Sequence, residues 1–148
     1  MKISTKGRYA LASAIHIAQF YGSNEAITLI SISESLGISK IYLEQVFALL
    51  KRGGIVISVK GAQGGYQLAK SPQQITAYDI LSATEASLFE KTEDTVADKT
   101  PDIEMSMMTL VFDPLDEAVK KQLLGITLYD LVTEAEKQRD TQGFMFFI

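Results

Sequence analysis

The chain of 148 residues contains no cysteine and only one histidine, His16. Without cysteine it cannot form disulfides, thiolate metal sites, cysteine-ligated iron–sulfur clusters or a cysteine nucleophile. One histidine is too few for a zinc site, and its position in the middle of a predicted helix is typical of a packed or half-exposed side chain. We therefore expect no metal, no cofactor and no catalytic residues.

Long apolar runs are missing as well. No stretch approaches the roughly 20 residues that a membrane span needs, and the polar, basic residues 1–6 lack the apolar segment of a signal peptide. The length allows one domain with a sizeable core, or a small domain with an oligomerisation element. We expect a cytoplasmic protein without a membrane partner.

Charge is divided unevenly along the chain. Residues 1–70 contain eight Lys/Arg and three Asp/Glu, a net charge of +5, whereas residues 71–148 contain six and fifteen, a net charge of −9. The overall charge of −4 hides this asymmetry. A basic half favours contact with nucleic acid, and the acidic half is expected to face solvent, an effector or a second copy of the chain.

Residues 28–52 have the pattern of a helix-turn-helix, the motif whose second helix enters the DNA major groove. Thr28 and Ser39 are candidate N-caps for helices over 29–36 and 40–52, and Gly37 makes the turn between them. The residues expected to face inward are apolar: Ile30, Ile32, Leu36 and Ile38, then Ile41 or Tyr42 with Leu43, Val46, Phe47 and Leu50.

The second helix is the candidate recognition helix. Its first turns offer polar side chains that can reach phosphates or base edges, because Glu accepts from the cytosine amino group and Gln pairs with adenine. These side chains are Ser39, Lys40, Tyr42, Glu44 and Gln45. An ordinary amphipathic helix with a mixed polar face is the alternative interpretation.

A β-hairpin wing is predicted next, after Gly53, which we expect to end the helix in the left-handed conformation. Residues 55–59 are β-branched and 66–69 can pair with them. The tip over 60–65 contains one lysine and three glycines, so its backbone can approach a sugar-phosphate chain or enter a minor groove. A nucleotide site is disfavoured, since the glycines lie between two strands rather than before a helix.

A first helix is predicted over 6–21, with Ser4 or Thr5 as its cap. Lys6 and Arg8 lie in its first turn, where cations oppose the helix dipole. Contact with phosphate is one explanation for these cations, and solvated surface charge is the other. Thr76 and Asp79 have the spacing of a capping box and predict a further helix that closes the core.

An acidic segment over 85–102 has few large apolar residues and predicts a mobile linker. It separates a DNA-binding domain over 1–84 from a dimerisation helix and C-terminal tail over 103–148. Apolar residues recur at helical spacing in the latter, and burial against a second copy is the expected explanation, with a ligand cavity as the alternative. The candidate dimerisation residues are Met108, Val111, Phe112, Leu115, Val119 and Leu123.

Three details of the C-terminal half stay open at this point. Pro114 either kinks the dimerisation helix or starts a new one after an Asp113 cap. Thr127 and Asp130 predict a last helix that ends near Gln138. The apolar end, residues 144–148, is expected to pack on its own domain or on a second subunit, with a partner-binding tail as the alternative.

Taken together, the motifs make the chain resemble the Rrf-two family of bacterial winged-helix repressors. The resembling segments span nearly the full length: residues 2–10, Ile38-Ser39, residues 42–45, residues 59–68, Ile75-Thr76, Asp79-Ile80, Thr127-Leu128 and Asp130-Leu131. The resemblance implies a mainly α fold with a small β-hairpin wing, and a homodimer that reads a palindromic operator in double-stranded DNA.

By motif position, the resemblance also assigns roles to residues. Lys6 and Arg8 are backbone contacts, the first residues of the recognition helix read the major groove, and the wing tip consists of Lys60, Gly61, Gln63, Gly64 and Gly65. Lys60 stands where family members often have arginine; lysine lacks the planar fork suited to a narrow minor groove.

Family members that hold an iron–sulfur cluster place three cysteines in the region matching 85–108, and this chain has none. It is therefore similar to the cluster-free branch, which includes the repressor of cysteine metabolism, and the implied input is a metabolite or a protein co-regulator. The favoured function is a DNA-binding transcriptional repressor rather than an enzyme. The alternative is a winged-helix interaction module that regulates a metabolic enzyme complex without reading DNA.

Overall fold

Seven helices and a two-stranded hairpin make up the part of the chain that a computed structural model describes, which is the backbone of residues 1–146 and the side chains of residues 1–143. In chain order the elements are α1 (Thr5–Ala18), α2 (Leu29–Leu36), α3 (Lys40–Arg52), β1 (Val56–Ser58), β2 (Tyr66–Leu68), α4 (Ala77–Thr84), α5 (Pro101–Met107), α6 (Asp113–Leu124) and α7 (Leu128–Phe146). Short 3₁₀ turns occupy Pro72–Gln74 and Ala86–Phe89.

The helix-turn-helix consists of α2 and α3, with the bounds that the sequence predicts. The Thr28 hydroxyl accepts from the Ser31 N–H at 3.1 Å, and the Ser39 hydroxyl accepts from the Tyr42 N–H at 3.3 Å. Gly37 makes the turn at a φ of 70°. These short-range hydrogen bonds satisfy backbone donors that a helix start leaves unpaired.

Two expectations for this unit are wrong. Ile30 is 55% exposed, because the core side of α2 is occupied by Ile32, which is fully buried. The left-handed glycine after α3 is Gly54, at a φ of 75°, and not Gly53, at −79°. Gly53 is needed for a different reason: a Cβ there would lie 2.5 Å from the Ala83 Cβ, so its absence allows α4 to approach the end of α3.

The core lies between α1, α3, α4 and the hairpin. Its largest fully buried side chains include Phe47, Leu43 and Leu50 of α3 and Ile80 and Leu81 of α4. Phe47 contacts the Tyr66 ring at a centroid distance of 4.7 Å, which joins the recognition helix to the base of the wing. Burial of this many large apolar side chains positions α3 against the rest of the domain.

The hairpin is antiparallel, with Ile57 opposite Gln67. A third segment joins it, because Ile27 and Tyr66 exchange two backbone hydrogen bonds of 2.9 and 2.8 Å. Ile27 immediately precedes the cap of α2, so the wing and the helix-turn-helix share this one backbone pairing.

The capping boxes at the starts of α4 and α7 lie next to each other and are connected by a backbone bridge. The Thr76–Asp79 box opens α4 and the Thr127–Asp130 box opens α7, each with both reciprocal hydrogen bonds. Thr76 and Thr127 form a β-bridge between them, and Leu128 is fully buried in the core. The start of α7 therefore packs against the winged-helix unit.

One continuous helical rod runs from Pro101 to Leu124. A π-turn over Met108–Phe112 joins α5 to α6, and the Asp113 N–H donates to the Met108 carbonyl, five residues back. Pro114 has no N–H to give to the preceding turn and would crowd its carbonyl; the wider π-turn accommodates it without ending the helix. The proline thus neither splits the element nor begins a separate helix.

The last helix is longer than predicted. It continues past Gln138 to at least Phe146, the last residue whose backbone is described. The expected packing of residues 144–148 concerns side chains outside those that the structure describes. Among the described residues, no helix is long and apolar enough to cross a membrane.

His16 is half-buried on α1, with its ring 5.3 Å from the Phe20 ring. Burial lowers the pKa of His16 below its usual value of 6.5. Its buried Nε2 atom has no hydrogen-bond partner within the described part of the chain, and the histidine is a packed, half-buried side chain, as the sequence predicts.

The wing base offers a matched pair of glycines for a stability test. Gly65 has a φ of 138°, and a Cβ there would lie 3.0 Å from Ala26 and from the Ile27 carbonyl, whereas a Cβ at Gly61 would meet nothing within 4 Å. We expect Gly65→Ala to lower the free energy of unfolding by about 1–3 kcal/mol, measured by urea denaturation. Gly61→Ala should change it by much less; an equal loss would contradict the packing described here.

Candidate nucleic-acid interface

The outward face of α3 carries the polar residues that the sequence proposes for base contact. Lys40, Glu44 and Gln45 are exposed, and Ala48 continues the same side of the helix. Positions three, four and seven residues apart share one helix face. The face therefore presents a carboxylate and an amide beside a small residue, with Lys51 and Arg52 at its far end.

The start of α3 is held by local and tertiary contacts. Ser39 is exposed, and its hydroxyl oxygen already accepts from the backbone. Tyr42 is half-buried, with its ring edge-on to the Tyr9 ring of α1 at 5.0 Å. This contact makes Tyr42 a support between α1 and the recognition helix as well as a candidate DNA contact.

The N-terminus of α1 is tethered to the end of α4. The Glu85 carboxylate accepts from the Ser4 N–H at 2.6 Å and from the Ser4 hydroxyl, and Ser4 in turn caps α1 by accepting from the Gly7 N–H. Gly7 is needed because a Cβ there would lie 2.9 Å from Ile3 and 3.2 Å from Glu85. A carboxylate at a helix N-terminus also interacts favourably with the helix dipole.

This tether sets the position of the two N-terminal cations proposed as backbone contacts. Lys6 is half-buried, and the exposed Arg8 guanidinium donates to the Thr5 hydroxyl at 3.0 Å. Lys6 and Tyr42 border one depression between α1, α3 and the end of α4. The structure therefore brings α1 and the start of the recognition helix to the same part of the surface.

The wing tip lies beyond β1 and β2. Lys60, Gly61 and Gln63 are exposed, while Gly64 and Gly65 are half-buried and have positive φ angles of 66° and 138°. A shallow groove joins the wing to the helix-turn-helix and is lined by Thr28, Leu29, Ile30, Lys40, Gln63, Gly65 and Tyr66. Lys40 of α3 and Gln63 of the wing thus border one groove.

The candidate dimerisation residues lie elsewhere, on the rod of α5 and α6. Val111 and Leu115 are more than half exposed, and Met108, Phe112, Val119 and Leu123 are half-buried. Other large apolar side chains of the rod are exposed as well, among them Ile103, Met105, Leu110 and Leu124. A single copy of the chain leaves this rod incompletely covered.

Two residues of the surface were missed by sequence reasoning. The sequence places Glu85 in the linker, but it is buried and holds Ser4. Its partner is 81 residues away, so no local pattern indicates it. Helical spacing allows either Ile41 or Tyr42 to face inward. Ile41 is 74% exposed, and Tyr42 takes the inward position.

The basic first half of the chain, the recognition helix and the adjoining wing define a winged helix-turn-helix transcriptional regulator. The profile of the Rrf2 family, described as "Iron-dependent Transcriptional regulator", matches residues 3–134. The chain belongs to this family, Rrf2 (Rrf-two).

Relatives with similar sequences are themselves named as regulators. The HTH-type transcriptional regulator CymR of Bacillus subtilis is 34% identical over 148 residues, which cover the whole of both chains. The HTH-type transcriptional regulator IscR of Cereibacter sphaeroides is 42% identical over 89 residues, which are 60% of this chain and 57% of that protein.

Solved structures agree with the fold. CymR (YrzC), described as the global cysteine regulator of B. subtilis, superposes with a TM-score of 0.73 at 35% identity, covering 90% of this chain and 98% of the other. IscR of T. potens superposes with a TM-score of 0.73 at 36% identity, covering 99% and 96%. The mainly helical fold with a β-hairpin wing is thereby confirmed.

The family description raises the question of iron, and the residues of this chain do not fit a cysteine-ligated cluster, because there is no cysteine. No group of three or more His, Asp or Glu side chains among the described residues could hold a metal ion. The buried Glu104 carboxylate of α5 accepts instead from the N–H groups of Thr95 and Val96, in the segment before that helix, at 3.0 and 2.8 Å.

The Glu85 tether can be tested with a near-isosteric variant. Glu85→Gln removes the charge and one acceptor oxygen, which leaves a Ser4 donor without its partner. We expect the free energy of unfolding to fall by about 1–3 kcal/mol, measured by urea denaturation. Glu90→Gln, at an exposed position, is the matched control and should change stability by less than about 0.5 kcal/mol; similar values for the two variants would refute the tether.

Proposed function

We propose that the protein is a cytoplasmic, homodimeric repressor that reads a palindromic operator without an iron–sulfur cluster and without catalysing a reaction. Residues 1–84 form the reading unit, residues 85–102 connect it to the rod, and residues 103–148 contain the dimerisation helix. The observation that carries the proposal is the shared surface of α1, α3 and the wing, on which the basic residues of the first half meet an exposed recognition-helix face.

Charge supports DNA as the partner. The half of the chain that builds the reading surface has a net charge of +5, whereas the half that builds the rod has −9. The acidic half would be repelled by phosphates, so the molecule is expected to bind with its first half against the duplex. Backbone contacts by Lys6, Arg8 and Lys60 would position α3 over the base edges.

The exposed rod supports the homodimer. Leu110 is 77% exposed and Leu115 is 55% exposed in the single chain. Large apolar residues gathered along one helical rod are typical of a surface that a second subunit covers. Two identical copies related by a twofold axis would present two recognition helices, and a palindromic operator with half-sites about one helical turn (~34 Å) apart follows from that symmetry.

The input signal is proposed to be a metabolite or a protein co-regulator. Full-length similarity to CymR, described as the global cysteine regulator of B. subtilis, makes cysteine-regulated genes the first targets to assay. The cysteine-free segment over 85–104, held by Glu104, is consistent with a signal other than cluster assembly.

DNA binding by the three cations can be tested directly. We expect the combined variant Lys6→Ala, Arg8→Ala and Lys60→Ala to bind selected operator DNA more weakly. Its plot of log K against log salt should also be shallower, by about 0.9 for each phosphate contact removed. Fluorescence anisotropy at several salt concentrations measures both quantities.

The control removes the same number of charges from the acidic half, through Lys91→Ala, Lys99→Ala and Lys121→Ala, all at exposed positions. This control variant should have the same slope of log K against log salt as the parent protein. Equal binding by both triple variants, or binding without sequence preference, would argue for the interaction module that does not read DNA.

The dimer is tested at the rod. The unmodified protein is expected to have twice the chain mass of 16.3 kDa in sedimentation equilibrium, and Leu115→Glu is expected to shift it towards the single-chain mass, because a carboxylate would be buried between apolar side chains. Leu115 is exposed in one chain, so the variant should fold. Ser82→Glu adds the same charge to an exposed position of α4 and should leave the mass unchanged; a monomeric parent protein would refute the dimer.

A further inference from the structure

The exposed stripe of the recognition helix contains one large apolar residue, Ile41. It lies three and four residues before Glu44 and Gln45 and seven before Ala48, so all four share one helix face. Its side chain is 74% exposed, while the core side of α3 is filled by Leu43, Val46 and Phe47, each fully buried. Packing within the domain therefore does not explain an isoleucine at this position.

The local structure holds Ile41 in place. It is the second residue of α3, two positions after the Ser39 cap and next to Tyr42, whose ring packs on Tyr9. An isoleucine in a helix has one strongly preferred χ1 rotamer. Its methyl groups are therefore presented in nearly one direction, beside the two polar side chains proposed to read bases.

The chemistry of the major groove suggests what such a side chain recognises. Base edges there present hydrogen-bond donors and acceptors, and the one apolar group is the C5-methyl of thymine. An aliphatic side chain gains from covering that methyl group and cannot pair with the polar edges. We propose that Ile41 contacts a thymine methyl group in each half-site and thereby specifies a T·A pair beside the base pairs read by Glu44 and Gln45.

This inference rests on the proposed function. Ile30 is the natural comparison, because it is the other exposed isoleucine of the helix-turn-helix, at 55%. It lies on α2, in the groove between α2 and the wing, and the first helix of such motifs crosses the sugar-phosphate backbone, which carries no base methyl groups. Only the isoleucine on α3 is expected to sense thymine.

The experiment starts by selecting duplexes that the full-length protein retains from a random library. In the selected duplex, each thymine of the half-sites is then replaced in turn by deoxyuridine, which removes only the methyl group. We expect one symmetric position at which the affinity of the parent protein falls about fourfold for each methyl group lost. Replacement in both half-sites should lower it roughly fifteenfold.

The variants decide whether Ile41 is responsible. Ile41→Ala should bind the thymine and deoxyuridine duplexes equally, and the base preference at that position should relax when the selection is repeated with this variant. Ile30→Ala should retain the full sensitivity to the missing methyl group. Alanine is a better helix former than isoleucine, and circular dichroism checks that both variants fold.

Each other outcome counts against the proposal. In one such outcome the selection gives a defined consensus, while each deoxyuridine replacement lowers the affinity of the parent protein and of Ile41→Ala by the same factor. That result would overturn the inference and leave the proposed function standing. The inference would also be overturned if the sensitivity to the missing methyl group were lost in Ile30→Ala and kept in Ile41→Ala. A library that shows no enrichment at all would overturn the proposed function, and the inference with it.

Discussion

The backbone pairing of Ile27 with Tyr66 is the contact on which the reading surface depends. Two hydrogen bonds of 2.9 and 2.8 Å join the residue before the α2 cap to the first residue of β2. This pairing requires glycine at position 65, because a Cβ there would crowd Ala26 and Ile27. The wing is thereby attached to the helix-turn-helix through the main chain, and the contact between the Phe47 and Tyr66 rings joins it to α3 as well.

Two further tethers link this surface to the rest of the chain. Glu85 holds Ser4, and through it the start of α1, while the bridge between Thr76 and Thr127 brings α7 back to the core. Both tethers lie where the winged-helix unit meets the segments leading to and from the rod. A change in the arrangement of the rod could therefore reach Ser4 and the start of α1, where Lys6 and Arg8 lie, through specific hydrogen bonds.

The chain has the DNA-binding elements of its family but lacks the cysteines that would hold an iron–sulfur cluster. The reading elements are those of the Rrf2 family, whose profile matches residues 3–134, whereas a cysteine-ligated cluster has no ligands here. Glu104 organises the segment before α5 by accepting two backbone hydrogen bonds. A carboxylate makes this connection within the chain itself.

The sequence alone determined the starts of α2, α3, α4 and α7, the turn of the helix-turn-helix and the presence of the wing. Caps such as Thr28, Ser39 and the Thr76–Asp79 box join residues within three positions of each other, so the local sequence specifies them. Only the tertiary structure decided that Gly53 makes room for Ala83, that Glu85 holds Ser4, and that Ile41 rather than Tyr42 faces outward. These outcomes depend on contacts between segments distant in the chain, which helical periodicity does not encode. The effect of Pro114 was also decided by the tertiary structure. A proline restricts the helical turn before it, but the sequence does not indicate that a π-turn there keeps the rod continuous.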